Sequence, residues 1–379
     1  MTVRSDGRGR ARALILSQYD LPANKRNMNV YQRVFHGAEH AEITLLLRKG
    51  KEASAAIRER VRVENAPVSN RWLFLLWAVV RAGVLRFRGV RTIFIEPSGF
   101  AVVGFLAKIL FGYRWVLDVW DRPRWRTGGH EAGRRPSLSD RVVFAMMRRA
   151  DVILLSVLPR AAKDIDPDPA RCVRLCNAID LSERAAAPPR RHPADPTLHL
   201  AYGRSEFQET MGVDVVVRAV EILAERAVPA VVHLVGGMSD ESVARIRASR
   251  AASAFRVHGF IPGTRASSFR TVHVGLVPYL AFEDLSHIFP IKVIEHLSQG
   301  NPVIASRVPG LCEIVKDGGN GLVVEPGDPV ALADAVERLQ KDRGLYDRLA
   351  ANALESSLLY DSGEKNRTIF QTLFPEKAT

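Results

Sequence analysis

Short apolar runs rich in Val, Ile and Leu alternate along the chain with stretches of ten or more residues whose apolar positions recur at helical spacing. That rhythm is the signature of parallel sheets built from βαβ units, whose strands are buried on both faces. In the first half it predicts strands at Ala13–Ser17, Ile43–Leu47, Thr92–Glu96, Trp115–Val119, Val152–Ser156 and Arg174–Cys176. In the second half it predicts Leu198–Tyr202, Ala230–Val235, Phe255–Gly259, Val274–Pro278, Pro302–Ser306 and Gly321–Val324. Between the halves, Pro188, Pro189, Pro193 and Pro196 exclude a regular element. A linker at 182–196 therefore separates a first α/β domain, 1–181, from a second, 197–358. Open α/β sheets bind ligands outside the carboxyl ends of their strands, so function is sought in the strand-to-helix loops.

Composition changes this picture little. With 379 residues, 47% hydrophobic and 25% charged, the chain has the make-up of a two-domain globular protein, which excludes wholesale disorder, collagen and coiled coil. Charge changes it more. The formal net charge is +13, and it is unevenly placed: residues 1–180 hold 32 Lys and Arg against 17 Asp and Glu, the remainder 22 against 24. So basic a half suits nucleic acid, an acidic membrane surface or a phosphorylated substrate, while a solvated Arg-rich face would need no partner at all. Cys172, Cys176 and Cys312 form no Cys-x-x-Cys and have no His at ligand spacing. Neither a disulfide framework nor a zinc site is expected, and a reducing, cytoplasmic compartment fits. Ala13–Leu16 is too short for the core of a signal peptide, and the apolar run Trp72–Val80 is about half a membrane span, so no transmembrane segment is expected.

Two loops of the second half carry chemistry. After the strand ending at Pro278, an irregular stretch leads to a helix opening near Pro290, on which Lys292 and Glu295 lie three apart on one face. Helix N–H groups and the Lys292 ammonium can together hold a phosphate, and Glu295 can accept from paired ribose hydroxyls; a plain surface Lys–Glu pair is the alternative. In the other loop, Gly203 lets the backbone approach an anion and Arg204 can supply bidentate hydrogen bonds to a diphosphate. Gly236, in Val235-Gly236-Gly237, marks a third loop that could admit a base or ribose, or form only a tight turn.

The succession Gly203-Arg204, Gly212-Val213-Asp214, Val235-Gly236-Gly237, His258-Gly259-Phe260, Gly275–Tyr279, Phe289–Lys292, Glu295, Gly300–Ser306 and Asn320–Leu322 closely resembles the nucleotide-sugar domain of glycosyltransferase family 4. The resemblance implies the GT-B fold, two Rossmann-like doubly wound domains facing across a cleft, with no required metal or other cofactor. It also implies that 359–379 holds a terminal helix crossing back to the first domain. Three positions depart from the family. His287 stands where a donor-sugar glutamate is usual, Met211 where a lysine is common, and Lys25, Arg26 and Asn27 lie in a first loop that lacks the usual glycines.

In the first half, Asp121 follows the strand ending at Val119 and can take a proton from an attacking hydroxyl; a turn cap is the alternative. Asp118 alternates to the other face and reads as structural. The segment Arg71–Arg88 is apolar, helical in length and flanked by arginines, so Arg71, Trp72, Trp77, Arg81 and Arg86 suit an anionic bilayer interface, with a buried core helix as the alternative. The leading expectation is a glycosyltransferase that moves a sugar from a nucleotide sugar to a lipid-linked (polyprenyl-diphosphate) or cell-envelope glycan acceptor, peripheral on the inner face of the plasma membrane. Its catalytic positions are Asp121 and His287; Gly203, Arg204, Gly236, Pro290, Lys292 and Glu295 bind the donor. A sugar-nucleotide epimerase and a non-catalytic sugar-nucleotide-binding scaffold are the alternatives. No nucleic-acid motif is present, and no nucleic-acid partner is expected.

Overall fold

The computed structural model describes residues 10–374 except 18, 23–28, 96–99, 120–137, 157–167, 185–190, 207–210, 260–268 and 282–288. The chain divides into two compact units, one of residues 1–176 with 362–379 and the other of 177–361. The boundary falls before the proline-rich stretch, because residues 177–184 already pack on the second unit: Asn177 Nδ2 donates to the Phe289 carbonyl, and Ile179 bridges to Asp361.

In the first unit the strands are β1 (Ala11–Ser17), β2 (Ala41–Leu47), β3 (Arg62–Asn65), β4 (Thr92–Ile95), β5 (Arg114–Val119), β6 (Val152–Leu155) and β7 (Cys172–Arg174). They form one parallel sheet in the order β3-β2-β1-β4-β5-β6-β7. Its central strands are apolar and buried on both faces, as at Ala13–Leu16. Helices α1 (Asn29–Gly37), α2 (Ala55–Arg58), α3 (Arg71–Phe87), α4 (Ala101–Phe111) and α5 (Leu138–Met147) connect them. The Asn70 side chain starts α3 by accepting from the Trp72 and Leu73 N–H groups. Two details differ from the sequence expectation. β3, Arg-Val-Glu-Asn, is a polar edge strand with no apolar run to announce it, and β7 ends two residues before the expected Cys176.

The chain's last helix, α12 (Ser362–Leu373), belongs to this unit. Ile369, Phe370 and Leu373 enter the core that also holds Ile15, Val34 and Phe94. A polar contact joins them: Arg33 forms a buried ion pair with Asp118 at 2.9 Å, and its Nη1 donates to Asn366 Oδ1 at 2.7 Å. Arg33 is 1% exposed and Asp118 3%. Lys365 donates to Asn29 Oδ1, and desolvation, then the Arg33 guanidinium, push its ammonium well below the usual lysine range.

In the second unit β8 (Leu198–Glu206), β9 (Ala230–Gly237), β10 (Phe255–Gly259), β11 (Val274–Val277), β12 (Val303–Ser306) and β13 (Gly321–Val324) form a parallel sheet ordered β10-β9-β8-β11-β12-β13. Its helices are α6 (Val213–Glu225), α7 (Asp240–Ala248), α8 (Ile291–Ser298), α9 (Pro309–Cys312), α10 (Pro329–Lys341) and α11 (Arg343–Ser356). α6 buries Val213, Val216, Ala219, Val220 and Leu223, the spacing of one helical face. α10 opens with Pro329 behind an Asp328 cap that accepts from Val330 and Ala331. Gly212, at φ +74°, turns β8 into α6; a Cβ there would lie 1.9 Å from the Pro278 carbonyl oxygen. Only glycine permits that approach of two strand ends.

Candidate functional site

The second sheet reverses its order between β8 and β11. At such a switch point the connections leave on opposite faces, and the carboxyl ends of the two strands border a crevice suited to a ligand. From β8 come Gly203 and Arg204, and from the exit of β11 come Pro278 and Tyr279. Arg204 donates to the Tyr279 hydroxyl and lies 5.2 Å from the centre of that ring, so an otherwise mobile guanidinium is held at the crevice.

Lys292 belongs to the first turn of α8, which Pro290 precedes as the N-cap residue. A Cβ on Gly203 would sit 3.0 Å from Phe269 Cζ and 3.9 Å from Lys292 Cδ, so the missing side chain is what lets strand, ring and lysine come together. The Lys292 ammonium stands 5.5 Å from the Phe269 ring centre and 2.7 Å from Glu295 Oε2. The carboxylate is enclosed, 4% exposed, while the lysine side chain is 29% exposed. An ammonium has three donors, so Lys292 can keep Glu295 and still receive an anion. Behind it, His296 packs 4.2 Å from Phe269, over Gly275. Arg204 at the end of β8 and Lys292, beside the enclosed carboxylate at the N-terminus of α8, supply cations and helix N–H groups that can hold a diphosphate.

Gly236 is the penultimate residue of β9, the strand beside β8, and is buried. Met211, where a lysine would add a cation, is 3% exposed and therefore packs rather than reaching for a ligand. Its carbonyl accepts from the Tyr202 hydroxyl at 2.7 Å, and burial raises that phenol well above its ordinary pKa, so it stays a neutral donor. Asp121, His287, Lys25, Arg26 and Asn27 lie outside the described residues. Asp118 is the buried partner of Arg33. The sequence gives no sign of Phe269, which no local pattern marks, and it places Tyr279 in a motif directly after a strand without assigning it a contact.

The residues expected to meet a membrane do not share one environment. Trp72 is 60% exposed, but Trp77 is half-buried and stacked 6.0 Å from Phe74, and Arg71 lies 6.0 Å from the Phe100 ring. Arg81 is committed to Glu64 in a two-point ion pair, and Arg86 donates to the Phe111 carbonyl, closing the end of α4. The Arg81 bond pulls the Glu64 carboxyl below its usual range and raises Arg81 in turn. Both arginines are partly buried and already have partners within the unit. The exposed apolar face of α3 consists of Trp72, Leu73, Leu76, Val80, Val84 and Phe87. No described helix is long and apolar enough to cross a membrane. Among the described residues, no group of three or more His, Cys, Asp and Glu is placed to hold a metal ion.

Residues 197–342 match the family described as Glycosyl transferases group 1. The chain is 28% identical to a D-inositol 3-phosphate glycosyltransferase of Nocardioides over 68% of its own length and 61% of that relative. It is 30% identical to a phosphatidyl-myo-inositol mannosyltransferase of Mycobacterium leprae over 34% of the chain and 33% of that relative. The chain thus spans less than two thirds of the length of these curated relatives. Among solved structures, Anabaena HepE in complex with UDP and glucose superposes with a TM-score of 0.73 at 17% identity, over 96% of this chain and 99% of that one. A sucrose-phosphate synthase from Thermosynechococcus elongatus gives 0.73 at 19% identity over the same shares. The fold is that of the GT-B glycosyltransferases.

Proposed function

We propose that this protein, whose second unit carries a group 1 glycosyl transferase domain across residues 197–342, moves a sugar from a nucleotide-sugar donor to a lipid-linked or cell-envelope glycan acceptor. The observation that carries the reading is the meeting of Gly203, Arg204, Lys292 and Glu295 at one switch-point crevice. The named relatives are consistent with it, since they are glycosyl- and mannosyltransferases and a neighbour of the same fold binds UDP with glucose.

In this reading an acceptor hydroxyl attacks the anomeric carbon and the nucleoside diphosphate departs with its charge. Arg204, Lys292 and the α8 N-terminus stabilise that charge in place, and Glu295 both holds the lysine and takes up the ribose. Asp121, two residues beyond β5 in sequence, is the proposed base, and His287 the proposed sugar-side group. This division of roles requires no metal, so turnover persists in EDTA; a strict Mg²⁺ or Mn²⁺ requirement would overturn it.

The test is a thermal-shift screen of nucleoside diphosphates and their sugars, followed by transfer assays. A ligand of the native state raises the melting temperature with its affinity. The expected result is a stabilising nucleotide whose effect Lys292→Ala removes, with sugar release abolished by Glu295→Ala; no stabilising nucleotide at all would sink the reading.

The acceptor side is proposed to rest on an anionic bilayer. Support comes from the apolar face of α3 together with Ile109 and Leu110, 60% and 59% exposed on the neighbouring α4, and from the surplus of Lys and Arg in residues 1–180. Aromatic and branched side chains on a basic surface suit shallow insertion among acidic headgroups. Equal binding to anionic and neutral vesicles would refute this.

A further inference from the structure

Four histidines cross the second sheet in strand order. His258 on β10, His233 on β9 and His199 on β8 are followed by His273, immediately before β11. His233 Nδ1 lies 3.0 Å from His258 Nε2, and His233 Nε2 lies 3.0 Å from His199 Nδ1. The ring centroids lie 5.3 Å apart at each step with planes inclined by 10° and 27°, so the rings follow one another edge to edge. At the inner end the backbone N–H of His199 donates to His273 Nδ1 at 3.0 Å, and the His273 ring stands edge-on to that of His199.

These contacts dictate a protonation pattern. His273 Nδ1 accepts, so that nitrogen carries no proton. Both nitrogens of His233 are engaged by other imidazoles, and a neutral imidazole donates with one nitrogen and accepts with the other. The row therefore holds when its rings share one sense of donation from His199 to His258 or the reverse. A proton added to the accepting nitrogen of His233 faces a neighbour's N–H across 3.0 Å and opens the row unless that neighbour gives up its own.

The charged groups around His233 oppose that proton. On β10 these are His258 and Arg256, and on β8 it is His199. Burial first and then these neighbours bring His233 down to about 4. Asp195, the negative group in this cluster, faces His199 and His273 at the far end rather than His233. The sign follows. A histidine held low in the fold binds fewer protons than the unfolded chain between pH 6.5 and about 4. Its contribution is intact above about 6.5 and is lost as the pH falls across that window.

We propose that the imidazole row is an acid-sensitive clasp that fastens the edge strand β10 to the second sheet. Among the described strands β10 pairs with β9 alone, its outer residues Arg256, Val257 and His258 are exposed, and the pairing shifts register between Val257 and Gly259. Three of the four clasp members sit on separate strands, so the row ties β10 through β9 to β8 where backbone pairing is irregular. Acid releases β10 while the central strands stay in place.

Amide hydrogen exchange tests this on the full chain at pH 7.5 and 5.0, with intrinsic exchange rates corrected for pH. Protection of 255–259 should fall at least tenfold at pH 5.0 while that of 274–277 is unchanged. His233→Phe keeps a ring in the row without a titrating nitrogen and should remove the pH dependence. Equal protection of 255–259 at both pH values, or the same fall in His233→Phe, would overturn the clasp. Should that variant fail to fold, nitrogen-15 spectra of histidine-labelled native protein serve instead. His233 is expected to stay neutral at pH 5.5, and its titration near 6.5 would overturn the proposal.

Discussion

The two units share a topology and use charge in opposite ways at corresponding places. In each sheet the order reverses beside the first strand of the unit, between β1 and β4 in one and between β8 and β11 in the other. At the first reversal, Arg33 and Asp118 face a cavity of about 10 Å³ lined by Ile15, Leu16, Val30, Phe94 and Ile95, and they satisfy each other and Asn366. That cavity has room for about one water. At the second reversal Lys292 and Arg204 are partly exposed, held by neighbours that do not enclose them. One switch point fastens a helix to its own sheet, and the other leaves its cations partly exposed. A shared topology supplies the location, and burial decides its use.

Four substitutions test that contrast, from the largest expected effect to the smallest. Arg33→Met leaves Asp118 buried without its cation and should cost about 3–5 kcal/mol of stability in denaturant unfolding. Nucleotide affinity of the second unit should stay within about threefold, and a larger change would break the contrast. Lys292→Ala should lower kcat/KM by about 100-fold, roughly 2.7 kcal/mol of transition-state stabilisation, and should cost less stability than Arg33→Met, because the 29% exposure of the lysine lets water take its place beside Glu295. A loss of stability comparable to that of Arg33→Met would mean the second site is also an internal fastening. Replacing Trp72 and Phe87 together by Ser should weaken binding to anionic vesicles by about tenfold without unfolding the chain, as expected for two exposed apolar side chains. Smallest is Arg81→Gln. Since its charge is already matched by Glu64, vesicle binding should change by less than about twofold, and a loss as large as that of the aromatic pair would mean that Arg81 itself meets the lipid.

Much of the fold was legible because parallel strands are apolar on both faces and interrupt helical periodicity sharply. Strand β3 was not, since an edge strand of Arg, Val, Glu and Asn carries no such run. On the candidate site, the meeting of Lys292 with Glu295 follows from a three-residue spacing on one helix. The neighbours that position them do not: Phe269 and Tyr279 reach Lys292 and Arg204 across strand pairings, which local spacing cannot encode. In α3 the limit was of another kind. Its buried residues Phe74, Leu75, Ala78, Ala82 and Leu85 are as apolar as the exposed ones, so periodicity alone could not separate the inner face from the outer.

The position of α12 bears on the order in which the chain acquires its structure during synthesis. Phe370 fills the core of a unit whose strands, Ala11 to Arg174, were all translated before the second unit, and Arg33 waits for Asn366 as a partner. A ribosome releases all of 177–361 before that helix emerges, so the second unit can close while the first is still missing its final wall. The half of the protein made first is completed last. Until then Ile15, Val34 and Phe94 lack their lid, and that interval is when a chaperone has most to protect.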